Sequence, residues 1–243
     1  MIDDYTRYKR QIIIPEIGEE GQKKLSEAKV FVAGLGGLGS VSAYYLTAAG
    51  VGYLKMVDRD IVEMTNLNRQ ILHRTEDIGM SKAESAMKKL KALNPSVQIE
   101  TYRDEIRDDN IEGLVGDCSI IIDAMDNLNT RRILNRYSLK KGMPFIYGGV
   151  ERFSGMITTF VPGETPCFEC IFSGVKEIEE VKGIIGPVPG VIGSLQTIEA
   201  IKIILGLDGL LKGRLLFFTG LDMSFKEIQI EKNPHCVVCL GRQ

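Results

Sequence analysis

Three glycines, Gly34, Gly36 and Gly39, followed nineteen residues later by Asp58, are the residues of this chain whose types and spacing point most directly to chemistry. They stand in KVFVAGLGGLGSVSAYYLTAAGVGYLKMVD, residues 29–58, where an apolar run stops at a glycine turn and a second apolar run ends on the acid. That pattern predicts strand, turn, helix, strand. Gly34 permits the tight turn, Gly36 lets backbone N–H groups approach a phosphate, and Gly39 lets the helix pack closely on the sheet. The positive end of the helix dipole then faces the anion. A carboxylate at the end of the second strand is placed to accept both hydroxyls of a ribose. The plainer reading is a glycine-rich packing turn without a ligand; the flanking strands and the acid favour nucleotide binding.

Cysteines form a second constellation. Cys167 and Cys170 make one Cys-x-x-Cys pair, Cys236 and Cys239 another, each beside turn formers such as Pro166, Pro234 and Gly241. Two such knuckles can supply four thiolates in a tetrahedron, the arrangement structural zinc prefers, and would staple the C-terminal tail to the middle of the chain. The alternatives are two disulfides, a redox motif, or small core residues. Disulfides fit a cytoplasmic chain poorly, and a redox motif needs only one pair. Cys118 stands apart before an apolar run, as a plain buried thiol does.

Elements that could position these residues follow from periodicity. Short helices are expected at 4–10 and 19–27, then strand 29–33, helix 38–49 and strand 53–58. The polar stretch DRDIVEMTNLNRQILH reads as irregular. Ser81 with Glu84 suggests a capping box for a helix at 82–93, which stops at Asn94-Pro95. Strand 97–102, a short helix near 108–115, a strand through SIIID, a helix at 129–141 and strand 144–148 complete an alternating order. That order predicts a doubly wound, Rossmann-like α/β fold with a mainly parallel sheet. From about residue 154, MITTFV, LLFFTGLD and FKEIQIEK read as antiparallel strands around a helix at 190–205, continuing the same sheet. Residues 171–189, rich in glycine, proline and charge, read as a long mobile loop. The expected organisation is one unit over 1–243: N-terminal helices at 1–28, a nucleotide-binding core at 29–150, and a sheet extension carrying the knuckles at 151–243.

A glycine loop with an acidic strand end usually suggests NAD, so a nicotinamide oxidoreductase has to be weighed. Three features oppose it. Cations follow the loop: Arg69 beyond the second strand, Lys82 at a helix start, and Arg7 and Arg10 near the N-terminus. A cation in a first helical turn opposes the dipole and calls for an anion, which a triphosphate supplies. Asp126-Asn127 lies at the carboxyl end of the fourth strand, where a carboxylate near a polyphosphate can hold magnesium. Neither histidine, His73 or His235, is placed as a hydride-transfer acid. Singly, each of these charges reads as a solvated surface group; their shared position at the ends of consecutive sheet elements favours function.

Thirty basic and thirty-two acidic residues nearly cancel, giving a formal charge of −2 without a run of like charge. No footprint for nucleic acid or an anionic membrane follows from that balance. The N-terminus MIDDYTRYKRQ has charges where a signal peptide needs an apolar region, so a cytoplasmic location is expected.

RYKRQIIIPEIGEEGQKKL, GLGGLGS, VDRDIVEMTNLNRQILH, IGMSKAESA, DAMDN, PFIYGGV, CFEC, PGVIGSLQTIEAIKIILG and NPHCVVC together resemble, in order and over nearly the whole chain, the MoeB/ThiF/HesA family of ubiquitin-activating-enzyme-like adenylyltransferases. MoeB-like members are nearest in appearance. The resemblance implies ATP-dependent adenylation of the C-terminal glycine of a ubiquitin-fold sulfur-carrier protein ending in Gly-Gly, with release of pyrophosphate, for molybdopterin or thiamine biosynthesis or a related pathway. It further implies that Gly34, Gly36, Gly37 and Gly39 form the phosphate loop and that Asp58 holds the ribose. Asn66, Arg69 and Lys82 would hold the triphosphate, Asp126 would bind magnesium, and Arg10 would reach the phosphates from the neighbouring subunit of a homodimer. One departure stands out: many members carry a cysteine after the first knuckle, and residues 171–189 contain none. A transfer step through such a cysteine is therefore not expected. A non-catalytic activating-enzyme-like scaffold remains as an alternative, and should have lost Arg69, Lys82 or Asp126.

Overall fold

The computed structural model describes residues 4–176 and 183–240. Helices α1 (Asp4–Ile12) and α2 (Gly18–Glu27) lead into β1 (Lys29–Ala33), α3 (Gly37–Ala49), β2 (Tyr53–Val57), α4 (Lys82–Leu93) and β3 (Gln98–Tyr102). The chain continues through α5 (Ile111–Val115), β4 (Ile120–Asp123), α6 (Leu128–Lys141), β5 (Phe145–Glu151), β6 (Ser154–Phe160), α7 (Phe168–Phe172) and α8 (Pro187–Leu205). β7 (Arg214–Thr219) and β8 (Ser224–Gln229) come last.

All these strands join one sheet in the order β3-β2-β1-β4-β5-β6-β7-β8. The first five are parallel; β6, β7 and β8 pair antiparallel to their neighbours. The expected mixed Rossmann-like sheet with an antiparallel continuation is therefore what forms. Alternation along the strands feeds two buried layers. Val30, Val32, Leu54, Ile120, Ile122 and Ile146 pack under α2, α3, α4 and α8, while Phe31, Ala33, Ile121 and Phe145 pack under α5, α6 and α7. Strands buried on both faces need apolar side chains at nearly every position, which is why β1 and β4 read as continuous apolar runs.

Helix α8 is long and apolar enough to cross a membrane by length and composition, yet half of that window is buried against the rest of the chain. Its Gly193 allows a close crossing with α3: a Cβ there would lie 2.8 Å from the Leu38 carbonyl oxygen. The Ser42 hydroxyl donates to the Gly193 carbonyl across the same contact, at 3.1 Å.

Three expectations need correction. The Ser81–Glu84 capping box does not form: Ser81 makes no side-chain cap, and Glu84 pairs with Lys88 at 2.9 Å. Helix α8 begins at Pro187, three residues before its expected start, because proline fits the first helical turn, where no N–H is needed. The stretch 171–189 is thus shorter as a loop than its composition suggests. It starts with the end of α7, and Arg152 N–H donates to Gly183 O at 2.7 Å while Ile185 N–H donates to Arg152 O at 3.2 Å. Residues 177–182 lie outside the described residues. Finally, the polar stretch after Asp58 contains 3₁₀ turns at Met64–Asn66 and Thr75–Asp77.

Candidate active site and metal centre

Parallel strands β1, β2 and β4 end on one edge of the sheet, and the chain reverses its winding between β1 and β4, the place where such sheets open a crevice. A cleft of about 460 Å³ lies there. The glycine loop forms one wall. Gly34 has φ +93°, and a Cβ on it would sit 2.7 Å from the Ala124 carbonyl oxygen, so both conformation and space demand glycine. A Cβ on Gly39 would sit 1.9 Å from the Gly34 carbonyl oxygen, which makes it the residue that seats α3 on the turn. Gly36 is different: its nearest neighbour would be a Gln70 amide nitrogen at 3.6 Å. The missing side chain there matters chiefly to whatever enters the cleft.

Gly34, Gly36, Gly37, Asp58, Arg69, Lys82 and Asp126 all line this cleft. Asp58 is gripped by backbone: Leu35 N–H donates to its Oδ2 at 2.7 Å and Asp60 N–H to its Oδ1 at 2.9 Å. Each carboxylate oxygen keeps a second lone pair for a ligand hydroxyl. Burial raises the Asp58 carboxyl above the usual range, against the pull of Lys82 and the two N–H groups. Lys82 is buried and its Nζ lies 3.0 Å from Asp60 Oδ2. The anion that a cation at the start of α4 calls for is therefore partly supplied by the chain itself, a partner the sequence did not reveal. Arg69 is held by donation from its Nη1 to Thr65 O at 2.8 Å and Asn68 Oδ1 at 3.1 Å. Asp126 is exposed, with the Asn127 amide at 3.4 Å from its Oδ1.

Three expected residues lie apart from the cleft wall. Gly39 sits behind the loop. Asn66 is buried, and its Oδ1 accepts Glu63 N–H at 3.2 Å while its carbonyl accepts the N–H groups of Arg69 and Gln70. Its place is under the turn that presents Arg69. Arg10 is exposed on α1 and lines no part of the cleft of its own chain.

Cleft residues that sequence reasoning missed include Asp60, Gln70 and Arg131. Gln70 follows Arg69 directly and is buried with its Oε1 unpartnered. Arg131 was findable from spacing. Asn127 caps α6 by accepting Thr130 N–H at 2.8 Å, so residue 131, one turn further, returns to the same face. Its Nε lies 3.0 Å from Asp123 Oδ2, and its Nη2 donates to Gly148 O at 2.9 Å. Burial pushes the Asp123 carboxyl up to about 6 in spite of that guanidinium.

At the far edge of the α7 layer, Cys167, Cys170, Cys236 and Cys239 converge, their Sγ atoms all within 4.8 Å of one another. The pairs Cys167–Cys170, Cys167–Cys236 and Cys170–Cys239 are 3.8, 3.7 and 3.5 Å apart. A disulfide needs about 2.05 Å, whereas four sulfurs about 2.3 Å from a zinc ion form a tetrahedron with edges of about 3.8 Å. The donor set and spacing fit such an ion and exclude the disulfide reading. Burial pushes the Cys167 thiol up, and burial with sulfur hydrogen bonds raises Cys239 to about 11, the penalty a divalent cation would reverse. Helix α6 braces this centre: Asn135 Oδ1 accepts Phe168 N–H at 3.0 Å and Arg132 Nε donates to Glu169 at 2.7 Å. Cys118 lies before the opposite end of β4, buried, with its thiol pushed up to about 12 by that burial.

Comparison with known proteins agrees with this geometry. The chain is 40% identical over 238 residues to the SAMP-activating enzyme E1 of Haloferax volcanii, covering 96% of this chain and 88% of that protein. It is 39% identical over 248 residues to the sulfur carrier protein adenylyltransferase of Thermus thermophilus, covering 98% and 91%. The crystal structure of E. coli MccB with ATP superposes with a TM-score of 0.86 at 25% identity, over 96% of this chain and 74% of that one. With the ThiF family model matching residues 8–238, the cleft and the four-cysteine centre are those of a chain that belongs to the ThiF family.

Proposed function

We propose that this protein is an adenylyltransferase that uses ATP to activate the C-terminal carboxylate of a ubiquitin-fold sulfur carrier ending in Gly-Gly, releasing pyrophosphate. The observation that carries the reading is the convergence of the glycine loop, Asp58, Arg69, Lys82 and Asp126 on one cleft of a ThiF-family chain. All three charged residues that a non-catalytic scaffold should have lost are present. A nicotinamide oxidoreductase is disfavoured by the same family membership.

The attacking carboxylate is already a nucleophile, so no general base is needed. One carboxylate oxygen bonds to the α-phosphorus, and the bond from that phosphorus to the bridging oxygen breaks, its electron pair leaving with pyrophosphate. The chain's task is to hold two anions together and offset their charge. Loop N–H groups and the N-terminus of α3 face the phosphates, Asp58 accepts the ribose hydroxyls, and Arg69 and Lys82 neutralise the triphosphate. Asp126 would hold magnesium, which when bound supplies charge withdrawal from the leaving group. Zinc at the four cysteines would hold the tail without taking part in chemistry. Pyrophosphate–ATP exchange tests the reading: label should exchange only with magnesium and a carrier ending in Gly-Gly, and exchange indifferent to the carrier would overturn it. A panel of carriers from molybdopterin, thiamine and related pathways identifies the partner. A cytoplasmic location belongs to the same reading, supported by the charged N-terminal stretch MIDDYTRYKRQ.

The working form is a homodimer in which Arg10 acts on the partner's phosphates. Its support is that Arg10 is exposed on α1 and outside its own cleft. Mixing Arg10→Ala and Asp126→Ala chains should then regenerate one working site in each mixed dimer. Activity no higher than that of the separate variants would place Arg10 outside the mechanism or within its own chain.

The activated carrier leaves as an acyl-adenylate without passing to an enzyme thiol. Four thiols are clustered in the metal centre, Cys118 is buried near the opposite strand end with its thiolate disfavoured, and residues 171–189 carry no sulfur. Incubation with ATP, magnesium and carrier, followed by non-reducing electrophoresis, should show no thiol-sensitive adduct. An adduct that vanishes in Cys118→Ala would reverse this conclusion.

A further inference from the structure

His73 has no part in the chemistry above, yet it is 4% exposed and lies between the glycine loop and α4. Its Nε2 is 3.1 Å from the Leu35 carbonyl oxygen and its Nδ1 is 2.8 Å from Ser85 Oγ. A carbonyl only accepts, so Nε2 carries the ring proton and Nδ1 presents a lone pair. Ser85 must then donate to Nδ1, and it can, because its oxygen accepts from Lys89 Nζ at 2.9 Å. Lys89 is in turn paired with Asp77, whose Oδ2 also takes the Arg74 N–H at 2.6 Å. Ser85 also lies within hydrogen-bonding reach of Asp77, but with the proton on Nε2 only donation to Nδ1 avoids opposing two lone pairs, so the donor directions run from Lys89 through Ser85 and His73 to Leu35.

The end of that line is the peptide between Leu35 and Gly36. Asp58 Oδ2 holds the Leu35 N–H at 2.7 Å, and His73, helped by the Ser40 hydroxyl at 3.3 Å, holds the Leu35 carbonyl. A trans peptide is planar, so a fixed carbonyl directs the following N–H the opposite way. We infer that His73 is a positioning residue: by gripping the Leu35 carbonyl it sets the direction in which Gly36 N–H is offered to an anionic phosphate in the cleft. The inference rests on the nucleotide reading of the cleft for its ligand, though not for the grip itself.

Neutral imidazole is required, and the surroundings supply it. Burial lowers the His73 pKa, and Lys82 and Lys89 oppose a third positive charge, against the contrary pull of the Leu35 carbonyl and Asp77. The ring thus keeps one tautomer through neutral pH.

Amide hydrogen exchange tests the grip without ATP. In His73→Phe the amides of residues 35–37 should exchange about tenfold faster relative to those of Ile121 and Ile122, the scale of one lost hydrogen bond. His73→Gln, which can still donate to the Leu35 carbonyl, should restore them to within about threefold of wild type. A merely structural role would accelerate Ile121 and Ile122 as well. ATP dissociation constants should follow the same order. Should His73→Phe fail to fold, Ser85→Ala, which keeps the ring but removes the hydroxyl fixing its tautomer, should shift the same amides in the same direction by a smaller factor. Loop amides unmoved in the folded variant, or ring ¹⁵N shifts placing the proton on Nδ1, would overturn the inference. If wild type binds no ATP but the loop amides respond to His73→Phe, the nucleotide reading falls and the grip stands.

Discussion

Asp126→Ala should lower pyrophosphate exchange by about a thousandfold while leaving the melting temperature within about 2 °C of wild type. The separation of the two effects follows from exposure. Asp126 is exposed just beyond the end of β4 with a long contact to Asn127, so its removal opens no cavity and only withdraws one charge acting on the buried Asp123–Arg131 pair. Such surface changes cost less than about 0.5 kcal/mol. Under the proposed function, the Asp126 carboxylate would serve only to hold magnesium beside the phosphates. Lys82→Ala should behave differently, losing about a hundredfold or more in exchange and some stability as well, because Lys82 is buried and its removal leaves Asp60 only the more distant Arg59, at 3.7 Å. Exchange assays beside thermal melts check both variants. An Asp126→Ala chain with full exchange activity would remove the magnesium assignment, and one that has lost both activity and fold would show that Asp126 is structural.

Cys236→Ser together with Cys239→Ser should abolish zinc binding and lower the melting temperature by about 10 °C, a loss of several kcal/mol for a chain of this size. Four thiols packed within 4.8 Å of one another repel as thiolates, so without a cation the second knuckle has little reason to stay seated on the first. The damage should be graded. β8 and the tail loosen first, while the first knuckle keeps its hydrogen bond from Phe168 N–H to Asn135 and its ion pair between Glu169 and Arg132. Exchange activity should fall by less than about tenfold, since α6 retains its own cap at Asn127 and the cleft lies at the other side of that helix's contacts. Elemental analysis giving one zinc per wild-type chain and none in the variant checks the site. Unchanged metal content in the double variant would assign the ion elsewhere.

Much of the site was legible because it depends on local chemistry. GxGxxG between two apolar runs leaves few ways to fold: Gly34 needs its positive φ, and Gly39 needs to sit against the Gly34 carbonyl. The two Cys-x-x-Cys pairs were legible for a similar reason, since each brings two sulfurs together within one turn. Less legible were features where one residue type serves two purposes. Ser81 and Glu84 match a capping box, but in the fold Ser81 bridges to Ile61 and Glu84 turns outward to Lys88. Proline at 187 and 189 suggests a loop until its place in the first turn of α8 is known.

What the sequence determined by itself was the alternation of elements, the loop that faces an anion, and the set of cysteines able to share a metal, all set by contacts within a few residues or by side-chain chemistry alone. Tertiary structure decided which charges meet. Asp60 reaches Lys82 across 22 positions, Arg131 reaches Asp123 from the next element, and His73 reaches Leu35 across 38. Such pairings depend on where parallel strands end relative to one another, and strand register is fixed by burial of both sheet faces together, a property of the assembled core that no local stretch of residues contains.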